Sequence, residues 1–167
     1  MKKLTLIRHA KSSWKDPELA DFDRPLNKRG KRDLPHMADR VRHFELKPDL
    51  VLSSGAKRAI TTAKAVVARL ELDNDQLQVI PELYEACSET LQLILQNLPE
   101  EITHVMLVGH NPGLEMLAYH LTQSFTAKFP TAAVLSMHLS ITQWEELAEG
   151  CATEVLFDYP KQHVKTA

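Results

Sequence analysis

The sequence predicts an α/β protein, a three-layer α/β/α sandwich around a mostly parallel sheet with one antiparallel edge strand. Three observations lead there. Short apolar runs that read as buried strands alternate with amphipathic helical stretches as far as about Leu121. Three of these runs end on unusual polar residues: Arg8-His9, Ser53-Ser54, and His110 after Gly109. Two late strand-like segments, joined by a short polar connection, are placed to pair antiparallel at one edge.

Taken in order, Leu4 to Ile7 reads as a short buried strand, and the polar stretch Lys11 to Leu26, with Pro17 and Pro25, as a loop. Asn27 is suited to cap a helix running to about Phe44; Pro35 interrupts its pattern, so a start near Asp33 is the alternative. Leu50 to Ser54 is a second buried strand, and Lys57 to Leu70 a helix rich in Ala and Val. Leu77 to Ile80 is a short strand that stops at Pro81. Ser88 to Leu98 is helical, with Leu91, Ile94, Leu95 and Leu98 as its core stripe. His104 to Val108 is a third strong strand; after it Asn111 as cap and Pro112 at the first helical position open a helix to about Leu121. Ala133 to Leu139 and Glu154 to Phe157 are the late strands, and Trp144 to Ala148 between them reads either way.

The 167 residues suit one domain, 1–167, with 44% hydrophobic and 25% charged residues as in ordinary globular chains. A net charge of -2 excludes a globally basic nucleic-acid binder, though not a local basic pocket. Cys87 and Cys151 are too few for a disulfide framework, so a cytoplasmic location is expected. No apolar stretch reaches the length of a membrane span, and Met1-Lys2-Lys3 leads into a strand rather than a signal peptide. His36, His43, His104, His120, His138 and His163 lack metal-ligand spacing and read as surface or half-buried side chains. Neither a Gly-x-Ser-x-Gly elbow nor a Gly-rich loop with Lys-Ser/Thr occurs, which disfavours a serine hydrolase and excludes a P-loop NTPase.

Carboxyl ends of parallel strands lie along one edge of a sheet, where open α/β folds bind ligands. Arg8, His9, Arg58 in the first turn of the second helix, and His110 at a helix entrance can therefore meet. Two arginines and two histidines beside helix amino termini make a phosphoryl-binding pocket.

The residues that carry this pattern resemble the histidine phosphatase superfamily, the Arg-His-Gly branch that includes phosphoglycerate mutases. Leu6-Ile7-Arg8-His9-Ala10 resembles its catalytic motif, Ser54 to Ala63 its Ser-Pro-x-x-Arg-Ala-x-x-Thr-Ala segment, and Val108-Gly109-His110-Asn111 the segment with its second histidine. Arg8-His9-Ala10-Lys11-Ser12, Asp23-Arg24-Pro25-Leu26 with Lys28-Arg29-Gly30, and Leu83-Tyr84-Glu85-Ala86 are most similar to the small SixA-type phosphohistidine phosphatases. Ala10 stands where the family has glycine and Gly55 where it has proline. A methyl at residue 10 matters only if that backbone needs φ > 0.

The resemblance implies a phosphoglycerate mutase-like fold without a large cap insertion, and a metal-independent phosphatase needing no cofactor. His9 would become covalently phosphorylated, with its second ring nitrogen held by a carbonyl near Arg29 or Gly30. Arg8, Arg58 and His110 would bind the phosphoryl oxygens, and Glu85 would protonate a leaving group. Lys11, Ser12, Arg24 and Asn111 are the expected substrate-binding residues. The expected partner is a phosphohistidine of a signalling or phosphotransfer protein; the alternatives are a small phosphate ester or a non-catalytic phosphate-reading module. Neither nucleic acid nor membrane is expected to bind, and a monomer is expected.

Overall fold

Side chains along the central strands alternate between two helical layers. In β1 (Lys2–Arg8) Leu4 and Leu6 share one face with Val105 and Leu107 of β4 (His104–Gly109), while Ile7 shares the other with Met106 and Val108. The structure is a computed structural model and describes residues 1–163; 164–167, the end of the expected domain, lie outside the described residues. The remaining elements are α1 (Lys28–His43), β2 (Leu50–Ser53), α2 (Lys57–Arg69), β3 (Leu77–Val79), α3 (Ser88–Gln96), α4 (Gly113–Thr122), β5 (Val134–Leu139) and β6 (Ala152–Asp158).

Helices α3 and α4 cover the first face with Leu91, Leu95, Leu114, Leu117 and Leu121; α1 and α2 cover the second with Met37, Val41, Ala59, Ala63 and Val66. Burying one such large apolar side chain stabilises the fold by about 1.5–3 kcal/mol. The three layers of the expected sandwich are thus present.

The sheet order is β3-β2-β4-β1-β5-β6. The first four run parallel, β5 runs antiparallel to β1, and β6 antiparallel to β5. The reversed strand is β5, one place in from the edge. Register fixes the site: Arg8 lies opposite Gly109 and Ser53 opposite Val108. The next residues of three strands, His9, Ser54 and His110, therefore emerge side by side.

Helix α1 runs unbroken from Lys28, because Asn27 Oδ1 accepts the Gly30 N–H at 2.8 Å. Lys31 and Pro35 are both exposed, so the carbonyl that Pro35 leaves unbonded faces solvent. The start of α4 departs from expectation. The Asn111–Pro112 peptide bond is cis and the helix begins at Gly113, so Asn111 does not cap it. Its side chain turns instead to the Phe129 carbonyl at 2.9 Å. Gly113 is needed here, since a Cβ would lie 2.2 Å from the Ala86 carbonyl oxygen.

Two further readings are settled. Trp144 is fully buried in a 3-10 turn, and its indole N–H donates to the Ile102 carbonyl at 2.7 Å. His104 is buried rather than at the surface. Its Nε2 lies 2.8 Å from Thr5 Oγ1, which donates onward to Ser136 Oγ at 3.1 Å, and burial pushes its pKa down to about 4.

Candidate active site

His9 leaves the end of β1 with its ring almost wholly buried. Its Nδ1 lies 2.7 Å from the Ala10 carbonyl. A carbonyl only accepts, so Nδ1 carries the proton and Nε2 keeps its lone pair. The partner is thus Ala10 itself and not a carbonyl near Arg29 or Gly30. Ala10 is in turn fixed: its N–H donates to Thr62 Oγ1 at 3.0 Å, and that hydroxyl donates to the Arg58 carbonyl at 2.8 Å. Ala10 has no positive φ, so the methyl that replaces glycine there is unstrained. Gly30 serves the same loop from the other side, since a Cβ on it would fall 2.1 Å from the Lys11 carbonyl oxygen.

Arg8 and Asn111 hang from one group. Arg8 Nη1 and Asn111 Nδ2 both donate to the Phe129 carbonyl, at 3.0 and 2.9 Å, which leaves Arg8 Nε and Asn111 Oδ1 without partners among the described residues. His110 Nε2 lies 2.8 Å from Ser54 Oγ, and its Nδ1 is likewise unpartnered. Ser54 Oγ already accepts the Ala56 N–H, so its proton is available to His110 Nε2. A neutral His110 then presents Nδ1–H as a donor.

Arg58 is buried at the start of α2 and donates through Nη1 to the Asp21 carbonyl at 2.7 Å and through Nη2 to Asp21 Oδ2 at 3.0 Å. The same carboxylate accepts from Arg24 Nη1 at 2.8 Å and from the Tyr84 hydroxyl. The Tyr84 bond, then those from Arg24 and Arg58, hold the Asp21 carboxyl well below the usual carboxylate range; burial and Asp21 push Tyr84 up to about 12. Arg24 also reaches Ser12 Oγ at 2.7 Å and the Ser13 carbonyl at 2.9 Å, and its guanidinium carbon sits 3.2 Å from the centre of the Trp14 ring.

These groups enclose a cavity of about 220 Å³ lined by Arg8, His9, Lys11, Ser12, Trp14, Arg24, Arg58, His110, Asn111 and Thr131. The His9 and His110 rings lie 5.1 Å apart. Burial, reinforced by His110, Arg58 and Arg8, pushes His9 down to about 3; burial and then Arg58 bring His110 to about 4. Both imidazoles are neutral at pH 7, and the positive charge rests on the arginines and Lys11. Larger grooves exist, including one of about 780 Å³ on the outer side of α4, but that one holds none of these groups.

A profile of the histidine phosphatase superfamily (branch 1) matches residues 4–92. The chain belongs to the histidine phosphatase superfamily. It is 33% identical over 153 residues to an uncharacterized chloroplastic protein of Arabidopsis thaliana, covering 87% of this chain and 70% of that one. It is 30% identical over 165 residues to an uncharacterized protein of Mycobacterium tuberculosis, covering 93% and 100%. A crystal structure from Agrobacterium tumefaciens, assigned as the phosphohistidine phosphatase SixA, superposes with a TM-score of 0.77 at 32% identity, over 95% of this chain and 99% of that one. Superfamily membership and this SixA-like fold make the protein a phosphatase of the histidine phosphatase class.

Set against that membership, the structure brings together Arg8, His9, Arg58, His110, Lys11, Ser12, Arg24 and Asn111 in one lining. It does not bring Glu85 there. Glu85 is exposed, with φ 57, on the loop after Tyr84. Sequence reasoning missed Asp21, Tyr84, Trp14 and Thr131, and the bond by which Thr62 holds Ala10. Thr131 enters because Ala132, at φ 60, donates its N–H to the carbonyls of both Arg8 and His9, which no sequence motif announces. Asp21 carried a weak signal, an acid three residues before Arg24 in a polar loop. Among the described residues, no three or more His, Cys, Asp or Glu side chains are grouped to hold a metal ion.

Proposed function

We propose that the protein removes phosphate from phosphohistidine on a protein through a phosphohistidine intermediate on His9. The observation that carries this reading is the fixed tautomer of His9, neutral and with Nε2 unprotonated, in a small cavity ringed by arginine. His9 Nε2 attacks phosphorus and the bond to the leaving nitrogen breaks. Arg8, Arg58 and His110 stabilise the non-bridging oxygens through the transfer. Water then attacks the His9 phosphoimidazole and releases phosphate. Lys11, Ser12, Arg24 and Asn111 hold the incoming group.

The leaving group decides the substrate class. Among the described residues lining the cavity there is no Asp or Glu, and both histidines are engaged with phosphate or its oxygens in this scheme. An alkoxide leaves poorly without a proton donor. An imidazole leaves from a weak phosphoramidate bond and takes its proton from water. The site therefore suits phosphohistidine, and a phosphate ester would draw on Glu85 only if its loop moved inward.

The test is hydrolysis of free phosphohistidine and of a phosphate-ester panel by wild type and His9→Ala, with trapping of the acid-labile phosphoenzyme. Wild type is expected to hydrolyse phosphohistidine and to trap label, and His9→Ala to do neither. An active His9→Ala, or a wild type that prefers esters, would overturn the reading.

A further inference from the structure

Next to the phosphate cavity lies a groove of about 1060 Å³ that shares Lys11, Ser12 and Trp14 with it. Its volume stands at the upper end of the roughly 300–1,000 Å³ of clefts that enclose small ligands. Lys11, Lys15, Lys28 and Lys31 line it against one acid, Asp16. That is a local charge of +3 on a chain whose net charge is -2. None of the four lysines takes part in an ion pair among the described residues. Lys28 and Lys31 sit in the first turn of α1, which contains no acid, so their charges add to the positive end of the helix.

The groove also has an apolar anchor. Trp14 is 78% exposed and Leu19 39%. One face of the Trp14 ring rests on Arg24, whose bonds to Ser12 and Ser13 tie the Trp14 loop to the phosphate cavity. A large exposed aromatic stacked on an arginine inside a charged rim has the build of a protein-docking hot spot.

We propose that this groove docks an acidic face of the phosphorylated substrate protein and so sets specificity beyond the phosphoryl group. The inference rests on the phosphohistidine reading above. The lysines steer the acidic face, Trp14 and Leu19 pack against it, and its phosphohistidine enters the cavity at one end.

The experiment uses synthetic phosphohistidine peptides of one length with acidic, neutral or basic flanks, beside free phosphohistidine. The protein is compared with a Lys15→Glu, Lys28→Glu, Lys31→Glu variant and, as a milder variant, Lys28→Gln, Lys31→Gln. At low salt, wild type should favour the acidic over the basic peptide by about 10-fold or more in kcat/KM, and salt should erode that preference. The charge-reversed variant should lose or invert it, and the milder one weaken it, while free phosphohistidine turns over within about 2-fold of wild type. Equal preference in wild type and variants overturns the docking role, as does a loss on free phosphohistidine equal to that on peptide. So does a groove that binds a single-stranded RNA oligomer through these lysines without any flank preference. A wild type inactive on every phosphohistidine substrate instead overturns the phosphatase reading beneath it.

Discussion

Acid should unfold this protein through its histidines before its carboxylates titrate. His9, His104 and His110 are buried neutral, with pKa values pushed down to about 3, 4 and 4, mainly by burial. In the unfolded chain each returns to about 6.5. The unfolded state then binds more protons below pH 6.5, so stability falls as pH falls; it is intact above 6.5 and the loss levels off once the folded pKa values are passed. Each group removes about 1.4 kcal/mol per pH unit in that window, hence about 2 kcal/mol between pH 6.5 and 5. The three together remove about 6 kcal/mol, comparable with the whole stability of an ordinary domain, about 5–15 kcal/mol. Asp21 acts in a separate window, since its carboxyl is held low and its contribution is lost only below the ordinary carboxylate range. The assay is urea unfolding at pH 7.5, 6.5, 5.5 and 5, with His104→Gln as the control that keeps a donor for Thr5 and removes one titrating group. Its slope against pH should be about two thirds that of wild type. A wild-type stability that is flat from pH 6.5 to 5 would refute the reasoning, as would an unchanged slope in His104→Gln.

Three more outcomes are expected. Thr62→Val removes the acceptor of the buried Ala10 N–H and should lower stability by about 1–3 kcal/mol and reduce kcat more than it raises KM, with Thr62→Ser restoring both; unfolding and steady-state kinetics check it. Gly30→Ala forces a Cβ to within 2.1 Å of the Lys11 carbonyl oxygen and should cost about 1–3 kcal/mol or prevent folding, as read by thermal unfolding and soluble yield. Glu85→Gln should leave phosphohistidine hydrolysis within about 2-fold and slow phosphate-ester hydrolysis further; parallel rate measurements that show equal losses contradict it.

The framework was legible because strand and helix periodicities differ, and because the polar ends of β1, β2 and β4 interrupt apolar runs that otherwise have no reason to stop at Arg or His. Strand order makes neighbours of those ends, and so Arg8, His9, Arg58 and His110 were readable together. The antiparallel pairing of the two late strands at one edge was readable too; that β5, and not the outermost β6, is the reversed strand was not, since such a pair fits the sheet either way round. The opening of α4 was misread because Asn followed by Pro has the pattern of a cap, while the Phe129 carbonyl that draws Asn111 away comes from a distant loop. The roles of Asp21, only faintly signalled by its spacing from Arg24, and of Tyr84 were hidden for a similar reason. Their roles arise from one carboxylate accepting from residues on three segments, and no local pattern encodes that.

The bond between His9 Nδ1 and the Ala10 carbonyl has a consequence for how this site tolerates mutation. In sites where a side-chain carboxylate orients a histidine, one substitution removes the orienting group. Here the group belongs to the main chain, and every amino acid at position 10 supplies it. Replacing the side chain of residue 10 cannot delete the acceptor. The weak points move outward, to Thr62 and Gly30, which hold the peptide that bears the carbonyl and its neighbour in place. Substitution at Thr62 or Gly30 should therefore damage this chemistry although neither side chain lines the phosphate cavity.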